Sequence, residues 1–212
     1  MTQIRPFCGL RPVPEYAAEI AALPYDVMDT EEARQILNKN PLSFLRVTKS
    51  EATMSDCIDP HSQAVYKMAK TNLDRYLSDG QMKKDTTPCY YIYRQQMGSH
   101  IQVGLVAAAS VEEYKTNQIR KHELTRPDKE QDRVDHITAT EAQTGAVFLT
   151  YKASETVNAL LSQCMAKTPV YDFTTDDGII HTFFVVDEEA KIKAIEQAFQ
   201  RIETLYIADG HH

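Results

Sequence analysis

The chain has 212 residues, of which 42% are hydrophobic and 25% charged, and its formal net charge is −7 at pH 7. This acidic balance excludes nucleic acid as a bulk electrostatic partner, because phosphate backbones bind basic faces. Apolar runs such as 103–109 fall far short of the roughly 18 to 20 residues that a membrane span needs. The composition therefore predicts a globular protein with no membrane segment, and we expect a cytoplasmic location.

Short strands and amphipathic helices are predicted for the first part of the chain. Asp29 precedes an apolar helical pattern and has Glu32 three residues later, which is capping-box spacing, so a helix begins there and stops near Pro41. The other elements predicted here are a strand at 4–10, a short helix at 15–22, an ordered loop at 23–27, a β-rich segment at 42–47 and a longer helix from 61 to 79.

Two hairpins are predicted in the second part, because polar loops containing glycine separate β-rich segments. The first joins 89–94 to 101–109, and the second joins 170–173 to 179–186. The remaining predicted elements are a strand at 145–151, a helix capped by Ser154, a helix capped by Asp187 and a strand at 204–208. Strands interleaved with helices indicate an α/β (α+β) fold with a mixed sheet, antiparallel hairpins and flanking helices. No repeat or linker divides the sequence, so we expect a single unit over residues 1–212.

A charged segment, residues 115–133, contains six Lys or Arg and four Asp or Glu, a local charge of +2 in an acidic chain. Such an island suits a small anionic ligand such as a nucleotide. The alternative is a solvated loop and helix start whose opposite charges pair with one another. Candidate general bases or metal ligands here are Glu123, Glu130, Asp132 and His136, and the candidate anion-binding cations are Arg126, Lys129 and Arg133.

A second candidate site lies at the end of the sequence, where an apolar strand is followed by Asp209, Gly210, His211 and His212. This pattern is typical of a strand that enters a phosphate-binding turn, because glycine lets the backbone approach the ligand. A frayed terminus or part of a purification tag is the alternative interpretation.

Several blocks of sequence occur in one order along nearly the whole chain and together resemble domain-of-unknown-function family 1015. These blocks are residues 4–7, 9–12, 23–28, 43–48, 91–95, 121–126 with 129–130 and 132–133, 147–151 and 206–212. Members of this family are longer and continue the last block with an arginine and a helix. The chain therefore resembles an N-terminal half that ends inside a motif.

The last block is also similar to the phosphate-binding turn of ParB/sulfiredoxin-like proteins, a group that includes nucleotide-dependent kinases of free L-serine. The resemblance implies an ATP-dependent (or ADP-dependent) kinase of free L-serine with Mg²⁺. The alternatives are a nucleotide-responsive ParB-like binding module without transfer chemistry and an inactive structural fragment.

Phosphoryl transfer requires cations on the phosphates, a metal ion and a carboxylate that orients or deprotonates the attacking hydroxyl. Carried over from the resemblance and combined with this chemistry, the expected roles are Glu123 or Glu130 as the base, with His122 beside it; Asp209 and Asp132 near the metal; Arg126, Lys129, Arg133, Gly210, His211 and His212 on the phosphates; and Tyr25 and Asp26 in the substrate pocket. The expected partners are thus a nucleotide and a small-molecule substrate. A Tyr25–Asp26 hydrogen bond that only orders its own loop is the alternative interpretation for that pair.

Overall fold

The structure, a computed structural model, describes residues 2–55 and 57–209. Its strands are β1 (Ile4–Arg5), β2 (Leu10–Pro12), β3 (Met82–Lys84), β4 (Tyr90–Met97), β5 (His100–Val106), β6 (Ala108–Ala109), β7 (Ile119–Arg120), β8 (Leu149–Thr150), β9 (Tyr171–Thr174), β10 (Ile180–Val186) and β11 (Leu205–Ile207). Its α-helices are α1 (Ala17–Ile20), α2 (Thr30–Lys39), α3 (Leu45–Thr48), α4 (Gln63–Ser78), α5 (Val111–Lys115), α6 (Pro127–Thr140), α7 (Glu155–Cys164) and α8 (Glu189–Phe199). The mixture of helices with parallel and antiparallel strand pairs confirms the predicted α/β (α+β) class. None of the helices in the described part of the chain has the length and apolar character needed to cross a membrane.

The chain forms two compact units, each built from segments that are distant in sequence. Unit 1 consists of residues 2–11, 84–124 and 147–209, and unit 2 consists of residues 12–55, 57–83 and 125–146. The expectation of a single domain over 1–212 stays a prediction.

A four-stranded antiparallel sheet with the order β5-β4-β10-β9 forms the centre of unit 1. Both predicted hairpins are confirmed, since Tyr93 pairs with Gly104 between β4 and β5, and Phe183 with Tyr171 between β10 and β9. The turn of the second hairpin contains Gly178 with φ at 80°, a left-handed conformation that glycine adopts without steric cost. Pairing of β4 with β10 joins the two hairpins, with Tyr93 opposite Phe183.

One face of this sheet carries the hydrophobic core of unit 1. Side chains alternate between the faces of a strand, so Tyr90 and Ile92 of β4 and Phe184 of β10 share one face. They form one buried cluster with Val157 of α7 and Ile195 of α8. As predicted, Ser154 caps α7 by accepting a hydrogen bond from the Val157 amide. The apolar spacing that predicted these helices therefore marks the faces that cover the sheet.

Unit 2 is helical, and its predicted N-cap is confirmed. The Asp29 carboxylate accepts from the Glu32 amide at 2.8 Å, and the Glu32 carboxylate accepts from the Asp29 amide at 2.9 Å. These bonds satisfy amides that a helix start otherwise leaves unpaired. The predicted 61–79 helix is confirmed as α4, and Gly80, with φ at 69°, follows its end.

The β-rich interpretation of residues 42–47 is wrong, because helix α3 (Leu45–Thr48) occupies that segment. Leu45 and Val47 are buried, and the Tyr76 hydroxyl of α4 lies within hydrogen-bond distance of the Leu42 and Ser43 carbonyls. Packing against α4 thus overrides the strand propensity of the segment.

Three other predicted boundaries are corrected. Asp187 does not cap α8, because Val186 still pairs with Tyr90 in the sheet and Glu188 is the N-cap residue. The strand predicted for 4–10 divides into β1 and β2, and the strand predicted for 145–151 shortens to β8. Strand length here follows the available partners, which local sequence does not specify.

His136 is a buried polar residue of unit 2, only 4% exposed, and its Nε2 lies 2.9 Å from the Val47 carbonyl. A carbonyl only accepts hydrogen bonds, so Nε2 carries the proton. Nδ1 is buried with no hydrogen-bond partner among the described residues. Burial lowers the pKa of His136 below its ordinary value of 6.5. The folded protein therefore holds this imidazole neutral.

We expect His136→Gln to weaken the acid sensitivity of folding. The pKa of His136 is lower in the folded protein than in the unfolded chain, so below pH 6.5 the unfolded chain binds the proton more readily. The contribution of His136 to stability is therefore present above pH 6.5 and is lost as the pH falls below it. Urea unfolding monitored by circular dichroism between pH 7.5 and 5 should show a shallower loss of stability in the variant. His100→Gln, the same substitution at an exposed position of β5, serves as the matched control. Equal slopes for all three proteins would contradict the prediction.

Candidate functional site

A three-stranded sheet in unit 1, with the order β7-β11-β8, brings together two of the predicted site segments. β7 and β11 are parallel, with Leu205 opposite Ile119 and Tyr206 opposite Arg120. The carboxyl ends of parallel strands lie at the same edge of a sheet, which is where α/β proteins commonly bind ligands. The residues that follow β7, His122 and Glu123, therefore share an edge with those that follow β11. We call this the parallel edge.

His122 is tied to the parallel edge by a hydrogen bond to the last residue of β11. Its Nδ1 lies 3.1 Å from the Ile207 carbonyl, so Nδ1 carries the proton and donates it. Nε2 lies 3.6 Å from Glu123 Oε1, close enough for an ion pair when the imidazole is protonated but too long for a good hydrogen bond. The two side chains that the sequence predicts to act together are thus neighbours.

Asp209 also lies on the parallel edge, held by Phe148, which immediately precedes strand β8. The Phe148 amide donates to Asp209 Oδ2 at 3.2 Å, and the Ala208 amide donates to the Phe148 carbonyl at 2.9 Å. These bonds fix the carboxylate directly before the predicted phosphate-binding turn. The other predicted residues of that turn, Gly210, His211 and His212, lie outside the described residues.

Exposed apolar side chains come from the loops at this edge. Leu124 is 88% exposed, Val147 55% and Phe148 49%. Leu124 follows Glu123, and the other two immediately precede β8, so apolar surface and carboxylates share one region of the chain. Apolar surface of this kind can contact a planar ring, and the neighbouring carboxylates would bind a cation.

The carboxylates of Glu123 and Asp209 have the donor chemistry that Mg²⁺ requires. Magnesium sites that also contain a nucleotide commonly use one or two protein carboxylates, with water and phosphate oxygens completing the octahedron. Within the part of the chain that the structure describes, no group of three or more His, Cys, Asp or Glu side chains could hold a metal ion alone. The residues present therefore fit a metal ion that arrives with phosphates better than a permanently bound one.

The second half of the charged segment belongs to unit 2 and forms the start of α6. Arg126 is the N-cap residue and its guanidinium donates to Asp128 at 2.7 Å, while the Thr125 hydroxyl donates to Glu130 at 2.7 Å. The hydrogen bond from Arg126 lowers the pKa of the Asp128 carboxyl. Glu130, Arg126 and Lys129 are all exposed. The paired charges match the solvated-helix interpretation for this turn, and the anion-binding roles stay predictions.

Three predicted residues of unit 2, Tyr25, Asp132 and Arg133, form a cluster. Arg133 donates through Nε and Nη2 to Asp132 Oδ2 at 3.0 and 2.5 Å, and its guanidinium lies 4.3 Å from the Tyr25 ring centroid. Asp132 Oδ1 lies 2.8 Å from both the Tyr66 hydroxyl and His61 Nδ1. We call these five residues the Asp132 cluster. Asp26 is exposed in the turn beside Tyr25, and its role in a substrate pocket stays a prediction.

The two carboxylate oxygens of Asp132 accept four hydrogen bonds from the other residues of the cluster. Burial alone would raise the pKa of its carboxyl, but the hydrogen bonds from Arg133, His61 and Tyr66 outweigh it and lower the pKa to about 2. The carboxylate is therefore ionised at neutral pH. Binding a metal ion would require some of these partners to leave, and the predicted metal-binding role of Asp132 stays a prediction.

We expect Asp132→Asn to destabilise the protein by about 1–2 kcal/mol at neutral pH. This is less than the free energy that corresponds to the lowered pKa of Asp132, because solvent screens part of the interaction. A lowered folded-state pKa contributes stability above the unfolded value of 3.8, and that contribution is lost as the pH falls through about 2. The difference between wild type and variant should therefore shrink as the pH decreases from 5 to 2. Urea unfolding across that range tests this, and a constant difference would contradict it.

Sequence reasoning missed His61, Tyr66 and Phe148 as site residues. His61 and Tyr66 reach Asp132 only because α4 packs against α6, and they are separated from it by 71 and 66 positions. Phe148 reaches the parallel edge through the pairing of β8 with β11. No local spacing encodes these partners, although the aromatic residue in the block at 147–151 was a visible signal for Phe148.

The fold and the parallel edge define an α/β protein in which a histidine and two carboxylates lie at the carboxyl ends of a parallel strand pair. Residues 4–212 match the family described as Protein of unknown function (DUF1015), and the chain belongs to that family. A search of curated proteins and a search of solved structures each found no match.

Proposed function

We propose that this protein is an ATP-dependent kinase of small hydroxyl compounds, with free L-serine as its substrate and Mg²⁺ as its metal ion. The observation that carries the proposal is the parallel pairing of β7 with β11. It supports the proposal because two sequence segments, each predicted independently to handle phosphate, end at one edge of one sheet. Family membership is consistent with this activity but does not by itself specify it.

The residues of the parallel edge provide the functions that phosphoryl transfer requires. ATP would supply the phosphoryl group, and Mg²⁺, held by Asp209, would neutralise the charge on the phosphates. Glu123 serves as the candidate base, since a carboxylate accepts the proton of an attacking hydroxyl. His122 donates its Nδ1 proton to the Ile207 carbonyl, and its Nε2, 3.6 Å from Glu123, would pair with that carboxylate only in the imidazolium form. The exposed Phe148 and Leu124 offer apolar surface for the adenine ring.

The proposal is tested by incubating the purified chain with ATP, Mg²⁺ and L-serine and measuring O-phosphoserine by mass spectrometry. L-Alanine, which lacks the hydroxyl, is the matched substrate control. We expect phosphoserine and equimolar ADP with serine only, and loss of both products in Asp209→Asn. Absence of phosphoserine would overturn the kinase assignment. Calorimetric binding of ATP without turnover would then favour the nucleotide-responsive module.

A further inference from the structure

An open cavity of about 400 Å³ lies on the core-facing side of the four-stranded sheet in unit 1. Three neighbouring strands contribute polar side chains to its wall: Arg94 from β4, Thr182 from β10 and Asp172 from β9. Thr182 pairs with Arg94 on one side and with Asp172 on the other, so the three side chains form one row across the sheet. Small-molecule pockets usually have volumes of about 300–1,000 Å³, so the cavity is large enough for a small ligand.

Apolar side chains also line this cavity, and they continue the hydrophobic core of unit 1. Phe184 belongs to that core, and Met165, just after the end of α7, packs against it. Ile180 lies on the same face of β10 as Phe184, because side chains alternate between the two faces of a strand. A ligand in the cavity would therefore contact both a polar row and an apolar surface.

The two charged groups of the polar row bond to neutral partners. Arg94 donates through Nη2 to the Gln96 side chain at 2.6 Å, and Asp172 Oδ1 lies 3.5 Å from the Thr182 hydroxyl, the outer limit of a hydrogen bond. Within residues 2–55 and 57–209, neither Arg94 nor Asp172 takes part in an ion pair. The cavity therefore presents one positive and one negative group whose charges the described residues do not balance.

The spacing of these groups indicates what could lie between them. Neighbouring strands are about 4.7–4.9 Å apart, so the backbones of Arg94 and Asp172 are separated by roughly 9–10 Å. Lys167, the other cation on the wall, is paired with Glu188, so Arg94 is the cation left for an anionic group. A ligand with a single charge would leave either Arg94 or Asp172 unpaired. A free amino acid carries a carboxylate and an ammonium group on one carbon atom and can pair with both.

We propose that this cavity binds a free α-amino acid with an apolar side chain, in which Arg94 binds the carboxylate and Asp172 binds the ammonium group. The Thr182 hydroxyl lies between the two charged residues and can donate to the carboxylate or accept from the ammonium group. The ligand's side chain lies against the apolar part of the wall. This site shares no residue with the parallel edge and does not depend on the kinase activity proposed above.

Isothermal titration calorimetry of the full chain with L-leucine tests the class of ligand. Two analogues each lack one charged group: 4-methylpentanoate has no ammonium group, and isoamylamine has no carboxylate. We expect both to bind about 10- to 100-fold more weakly than L-leucine, because each leaves one charged side chain of the cavity without its partner. Absence of L-leucine binding, or an analogue that binds as tightly as L-leucine, would overturn the proposal.

The residues that bind the ligand are tested by Arg94→Gln and Asp172→Asn, each of which should weaken L-leucine binding by about 10- to 100-fold. The matched controls are Arg201→Gln and Asp176→Asn, the same substitutions at exposed positions of unit 1 outside the cavity. These controls should keep the affinity within about twofold of the wild type. Wild-type affinity in either cavity variant would contradict the assignment of its role.

The location of the ligand is measured in the wild-type chain, which keeps the test decisive if a cavity variant fails to fold. In protein labelled with carbon-13 at the methionine methyl groups, L-leucine should shift the NMR signal of Met165, which lines the cavity. The signal of Met28, which lies in unit 2, should stay unchanged. If L-leucine binds while the Met165 signal does not move, the ligand lies elsewhere and the proposal is wrong.

Discussion

Asp85→Ala should destabilise the protein by about 3 kcal/mol, the lower end of the cost of removing one partner from a buried ion pair, because the Arg11–Asp85 pair is mostly but not fully buried. Asp85 accepts two hydrogen bonds from Arg11, both at 2.8 Å, and one from the Tyr91 hydroxyl at 2.7 Å. The side chains of Arg11 and Asp85 are each only 13% exposed. Without the carboxylate, the guanidinium keeps the Tyr171 hydroxyl at 3.1 Å but loses its counter-charge. Urea unfolding monitored by circular dichroism measures the loss.

The matched control is Asp74→Ala, the same substitution at an exposed ion pair with Lys70. Surface pairs of this kind typically contribute at most about 1 kcal/mol, so this variant should unfold close to the wild type. A double-mutant cycle with Asp85→Ala, Arg11→Met and the variant that carries both substitutions measures the coupling energy between Arg11 and Asp85. If Asp85→Ala were no more destabilising than Asp74→Ala, the Arg11–Asp85 pair would contribute nothing beyond a surface contact.

Gly9 shows how closely this network is packed. The Gly9 amide donates to the Tyr91 hydroxyl at 2.7 Å, and a Cβ atom at Gly9 would lie 2.6 Å from that oxygen. The same phenol donates to Asp85, so any side chain at position 9 would displace a group that also holds Asp85. A glycine is required here by close approach rather than by backbone conformation.

The elements that sequence predicted well are those whose signals are local. The capping box at Asp29 and Glu32 satisfies its own helix start, and Asp177-Gly178 turns the chain between two strands that are adjacent in sequence. Both devices act within a few residues, so a pattern of residue types specifies them. The strand prediction for residues 42–47 was wrong for the opposite reason, because contacts with α4 determine the conformation of that segment.

For the candidate site, sequence indicated the residue types but not their grouping. The charged segment 115–133 is continuous in sequence and was predicted to form one site. In the structure, His122 and Glu123 belong to unit 1, whereas the residues from Thr125 onwards belong to unit 2. The bond from His122 to Ile207 spans 85 positions. Which segments meet is decided by strand pairing and helix packing between distant parts of the chain, and a single sequence carries no periodic signal for either.

The two glutamates predicted as alternative bases now differ in their surroundings. Glu123 lies on the parallel edge with His122 Nε2 at 3.6 Å and shares that edge with Asp209. Glu130 accepts a hydrogen bond from the Thr125 hydroxyl on the exposed first turn of α6. Under the proposed kinase activity, Glu123 is therefore the stronger candidate for the base.

Glu123→Gln is accordingly expected to lower kcat for serine phosphorylation by about 100- to 10,000-fold, the usual contribution of a general base. Glutamine keeps the size and polarity of the side chain but cannot accept the proton, so KM for serine should change little. Glu130→Gln is the matched control and should retain activity within about threefold, because losing one exposed hydrogen bond has a small effect. Steady-state kinetics with both variants, checked for folding by circular dichroism, make the comparison. A large loss of kcat in Glu130→Gln with none in Glu123→Gln would show that the base is Glu130 on α6. Equal small losses of kcat in both variants would exclude a carboxylate base at either position.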